Sequence, residues 1–62
     1  MNKYRVHLHS KPGMWEYYEG YVDVFVEDSD DAFIAAARKL RQTSFHDRPA
    51  NGWVLDSVEK LS

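Results

Sequence analysis

Cysteine is absent from this 62-residue chain, glycine occurs three times and proline twice. No apolar run approaches the roughly 20 residues that a membrane-spanning helix needs. The missing cysteine excludes disulfides and thiolate metal sites, two of the usual staples of a mini-protein, and fits the reducing cytoplasm expected here. Met1 to Ser10 alternates charged and apolar residues, so neither a signal peptide nor a membrane partner is expected. An excess of positive charge is lacking too: eight basic against ten acidic side chains give a net charge of −2. That balance is unsuited to affinity built on many phosphate contacts and disfavours nucleic acid as a partner. What remains is one domain over residues 1–62, short enough to bury only about 60% of the surface its unfolded chain exposes. Oligomerisation or docking on a larger protein is the natural remedy.

The residues that are present divide by period. Lys3 to Ser10 alternates, with Tyr4, Val6 and Leu8 on one side and Arg5, His7 and His9 on the other, the pattern of a half-buried strand. Ser10-Lys11-Pro12-Gly13 supplies turn chemistry. A second strand is expected from Trp15 to Glu27, with Tyr18, Val22, Val24 and Val26 on one face and Trp15, Tyr17, Tyr21 and Phe25 on the other. A hairpin register of Tyr4 with Val22 and Leu8 with Tyr18 would set His7 against Glu19 and Arg5 against Tyr21, with Gly20 a candidate bulge.

The period changes after Glu27. Asp28 or Ser29 caps a helix in which Phe33, Ala36, Ala37 and Leu40 recur at helical spacing and Ile34 widens the stripe. Residues 43–52 interrupt any period and form a long loop. Trp53 to Leu61 reads as a last strand whose apolar residues, Trp53 and Leu55 against Val54 and Val58, prefer opposite faces. The expected architecture is an α+β two-layer ββαβ domain, a three-stranded sheet of order 2-1-3 with one helix on one face.

This order leaves a second, aromatic face without a cover, since one helix shields one side. Arg5, Trp15, Tyr17, Glu19, Tyr21, Asp23 and Phe25 are therefore the candidate partner-binding residues, Tyr, Trp and Arg being common interface anchors. The second strand also lies at an edge, where a copy of the chain could pair to give a homodimer. Two readings compete: the same rings stack on single-stranded nucleic acid, or the long loop, or Trp53 and Leu55, covers them within the monomer.

Other constellations are weaker. His7 and His9 point the same way at a spacing that metal sites use, with His46 or Asp47 as a third ligand if the loop crosses the outer face. Solvated histidines paired with Glu19 and Tyr17 account for them more simply, and no metal or cofactor is expected. Glu16, Glu19, Asp23 and Glu27 would need a pocket to act as paired acid and base, and no serine lies in a nucleophile motif. A non-enzymatic protein is expected. The acidic run Glu27 to Asp31 complements a helix dipole, and it could also imitate spaced phosphates.

Tyr4-Arg5-Val6, Val22-Asp23-Val24-Phe25-Val26, Asp30-Asp31-Ala32 with Ala35 to Ala37, and Trp53-Val54 with Val58-Glu59 form a layout that resembles small accessory proteins of phages and mobile elements. In size and element order it looks like several anti-CRISPR proteins. That resemblance implies a stoichiometric inhibitor, acting in a host cytoplasm, that docks on a nucleic-acid-processing complex and carries no catalytic residue. The plan is also similar to that of the archaeal ribosomal protein LX, from which this chain departs in being slightly acidic rather than rich in RNA-contacting basic residues.

Overall fold

The alternation of the first segment becomes β1 (Asn2–Ser10), with Tyr4, Val6, Leu8 and Ser10 buried and the residues between them more exposed. The structure, a computed structural model, describes residues 1–13 and 16–62, so expectations about Trp15 lie outside the described residues. The other elements are β2 (Glu19–Val26), a 3-10 turn (Ser29–Asp31), α1 (Ala32–Thr43), a second 3-10 turn (Ala50–Gly52) and β3 (Trp53–Lys60). β1 runs down the centre, antiparallel to both neighbours, in the order β2-β1-β3. The expected two-layer α+β plan is therefore the observed one, and a 15 Å shortest dimension leaves no room for a third layer.

β2 begins at Glu19, not near residue 15, because β1 has no backbone left to pair beyond Ser10. There Ser10 N donates to Tyr18 O at 2.9 Å and Tyr18 N donates to Ser10 Oγ at 2.8 Å. This clasp, around a serine that is 1% exposed, also displaces the register by two residues from the expected one. Tyr4 lies opposite Val24, Arg5 opposite Asp23, His7 opposite Tyr21 and Leu8 opposite Gly20. A slip of two leaves every side chain on its expected face, where a slip of one would have exchanged them.

Gly20 hosts no bulge, since the β1–β2 ladder is continuous. Its lack of a side chain instead makes room for the Tyr18 ring, whose hydroxyl oxygen would lie 2.5 Å from a Cβ at position 20. The bulge falls in β3: His7 pairs with Ser57 and Leu8 with Leu55, leaving Asp56 as an extra residue. It reconciles the conflicting apolar pattern of that strand. Trp53 and Leu55 before the bulge and Val58 after it all turn to the helix side, opposite Ser10, Leu8 and Val6.

α1 is held by Ala32, Ala36, Ala37 and Leu40, all buried, with Phe33 partly buried against them. Ile34 does not widen this stripe: it is exposed, on the side of the helix turned away from the face that Ala32 and Ala36 define. Asp28 caps the 3-10 turn, accepting from Asp30 N at 3.0 Å, whereas Asp31 starts α1 without a side-chain cap bond. Alanine contacts bring the helix close, chiefly over β2, onto Val6 and Leu8, which are fully buried. Each of those two contributes about 1.5–3 kcal/mol relative to exposure.

Candidate functional site

On the sheet face away from α1, β2 presents Glu19, Tyr21, Asp23 and Phe25, β1 presents Lys3, Arg5, His7 and His9, and β3 presents Val54, Ser57 and Glu59. Tyr17, just before β2, joins this face through its hydroxyl, which donates to Glu19 Oε1 at 2.8 Å. Tyr17, Tyr21 and Phe25 are 64%, 65% and 62% exposed, so neither the long loop nor Trp53 and Leu55 covers them. Thus Arg5, Tyr17, Glu19, Tyr21, Asp23 and Phe25 share one solvent-facing surface.

Polar pairing across strands holds this surface in shape. Arg5 Nε donates to Asp23 Oδ1 at 2.9 Å and its Nη2 donates to Oδ2 at 3.1 Å, a two-pronged pair. Lys3 Nζ stands 4.0 Å from the same carboxylate and 5.9 Å from the centre of the Phe25 ring. His7 Nε2 donates to Glu19 Oε2 at 2.8 Å, while its ring stacks on Tyr21 at 4.6 Å and 17°. His9 Nδ1 donates to Asp56 Oδ2 at 2.8 Å, a partner that the bulge delivers and that sequence periodicity could not supply.

Those bonds bias the charges. The Tyr17 hydroxyl, then His7, holds Glu19 below the usual carboxylate range. The Arg5 guanidinium does the same for Asp23, and Asp23 in turn raises Arg5. Donating to an anion raises Tyr17. His7 finds Glu19 as expected, and His9 lies near Tyr17, their ring centres 6.3 Å apart. Among the described residues no group of three or more His, Asp or Glu is placed to hold a metal ion.

β2 lies at a sheet edge, as expected. The Ser10 N to Tyr18 O bond places the even-numbered residues of β2 toward β1, so the N–H and C=O groups of Tyr21, Asp23 and Phe25 point outward. Lys39, on α1, reaches over and donates from Nζ to Asp23 O at 2.9 Å. The opposite edge carries the Asp56 bulge beside Glu59 and Lys60. A charged side chain over one edge and a bulge in the other are both obstacles to strand addition.

The long loop lies elsewhere. Phe45 and Arg48 close one end of the helix side, with the Arg48 guanidinium 4.6 Å from the Phe45 ring centre and 4.7 Å from that of Trp53. Arg48 Nη2 donates to Glu16 O at 3.2 Å. Tyr18, Phe45 and Trp53 complete the cluster, with ring centres 5.0–5.8 Å apart. One phenylalanine and one arginine in an otherwise polar stretch were the signal for this packing. An open recess of about 870 Å³, lined by Arg5, Tyr21, Asp23, Lys39 and Glu59 among others, exceeds what the sequence led one to expect, but it runs along the surface and encloses nothing. Among the described residues, no helix is long and apolar enough to cross a membrane. Compared with known proteins, the chain matches no family model, no curated protein and no solved structure.

Proposed function

We propose that this protein is a non-enzymatic module that binds another protein through the bare face of its sheet, with Tyr17, Tyr21 and Phe25 as anchors. The supporting observation is a group of three rings, each more than 60% exposed, Tyr21 and Phe25 on β2 and Tyr17 just before it, on a face that no element among the described residues covers. Rings already oriented by stacking and hydrogen bonding lose little freedom on association, which favours binding. Nucleic acid is the poorer occupant because Arg5, the guanidinium on this face, is already engaged by Asp23. Edge pairing between copies is the poorer mode because Lys39 holds the Asp23 carbonyl. In the finer form of the reading, the module is a stoichiometric inhibitor of a nucleic-acid-processing complex. Its size, its element order and its slightly acidic balance support that form.

Capture of binding proteins from lysate, compared between the native chain and a Tyr17→Ala/Tyr21→Ala variant with an unchanged helical signal, tests the surface. Loss of the captured protein is the expected result. Capture that is undiminished overturns the assignment, and tighter binding of single-stranded oligonucleotides than of any protein replaces it with the nucleic-acid reading.

A further inference from the structure

The bare face carries four carboxylates, Glu19, Asp23, Asp56 and Glu59, against three permanent cations, Lys3, Arg5 and, at its edge, Lys39. One negative charge is therefore in excess when the histidines are neutral. Covering the face with a purely apolar surface would strand that excess away from water, and a phosphate backbone would add to it. A partner that brings cations leaves neither penalty. The ring placement adds a second complementarity, since each tyrosine stands beside a carboxylate: Tyr17 hydrogen-bonds Glu19, and Tyr21 lies flat on His7 next to Asp23. A ring face beside a carboxylate suits a guanidinium, which stacks on the one and pairs with the other. Lys3 over Phe25 already makes such a contact within the chain.

Building on the protein-binding reading above, we infer that the occupant of this face is an arginine-bearing protein surface, gripped by Tyr17 and Tyr21 and balanced by the face's surplus negative charge.

The test uses the full chain and short labelled peptides of about twelve residues that alternate glycine with arginine, lysine or glutamate, beside an oligothymidylate of similar length. The arginine peptide is expected to bind best, lysine more weakly, and the glutamate peptide and oligonucleotide not at all. Raising salt from about 50 to about 500 mM is expected to weaken arginine binding by roughly tenfold, because the Debye length shrinks well below the size of the face. Glu59→Gln, which removes one surplus charge outside the hydrogen-bonded network, is expected to weaken it about threefold, and Tyr21→Ala about tenfold. Equal affinity for the glutamate peptide or the oligonucleotide, or no arginine binding, overturns the inference about chemistry. If lysate capture still depends on Tyr17 and Tyr21 in that event, the face stands as the binding surface and only its arginine preference is lost; if it does not, both readings fall.

Discussion

Arg48 is the residue whose role is hardest to infer from its type. An arginine in a polar loop reads as solvated, yet this one is 6% exposed and held among Phe45, Trp53 and the Glu16 carbonyl. Removing it opens a void between two rings and ends the bond that ties the loop to the chain before β2. Arg48→Ala is therefore expected to cost about 2 kcal/mol and to lower the melting temperature by roughly 10 °C in a domain of this size. Loss of the near-ultraviolet signal of Trp53, read during thermal melting, checks it. Arg48→Lys is expected to recover only part of the loss, because an ammonium does not stack as a planar guanidinium does.

Glu19 and Asp23 make a second claim at this scale. Both are held below their ordinary values of 4.5 and 3.8 in the folded protein. Each therefore contributes stability that is present above those values and fades as the pH falls through the lower folded ones. Urea midpoints are expected to decline below about pH 4.5, and Glu19→Gln with Asp23→Asn to flatten that decline. Tyr17 works in the opposite sense: raised above 10.0, it supports the fold below that value and ceases to do so as alkali removes its proton.

Among the elements, β3 shows how much one extra residue does. Its apolar residues contradict a regular strand and become consistent only because Asp56 stands outside the ladder. Excising Asp56 is accordingly expected to preserve the fold, with Leu55 and Val58 still facing α1, while the His9 partner is lost. Retained amide dispersion and retained ring-current shifts of Val58 would check it; in a regular strand the same deletion would turn one half of the residues outward.

α1 carries a counterpart on the other side. Its alanines set the helix close to β2, and that closeness is what lets Lys39 reach the Asp23 carbonyl. Lys39→Ala is expected to leave the helical signal intact and to raise self-association with concentration, seen by sedimentation velocity, as the Asp23 carbonyl joins the other outward groups of β2 in being free to pair.

For the molecule as a whole, the functional claim rests on a separation between the face that stabilises and the face that binds. Val6, Leu8, Ala32 and Ala36, at 0% exposure, hold the fold from one side, so rings on the other are dispensable for folding. Tyr21→Ser together with Phe25→Ser is expected to change unfolding free energy by less than about 1 kcal/mol while reducing partner affinity at least tenfold, a split that parallel denaturation and binding titrations would resolve.

Most of the architecture could be read from period alone. Alternation marked β1 and the inward valines of β2, helical spacing marked Ala36, Ala37 and Leu40, and a single helix implied a single covered face. The six candidate residues that are described meet on the uncovered face because alternation survives a register slip of two. What alternation is blind to is which residue stands opposite which. The Ser10 clasp, the Asp56 bulge, the Arg48 stack and the Lys39 contact each join segments far apart in the chain, so local periodicity carries no trace of them. Sequence by itself determined the faces, because a strand's side-chain geometry is a local property; the register, the guarded edge and the pairing of charges were decided only when the strands and helix came together, because those depend on distances between segments that no local pattern encodes.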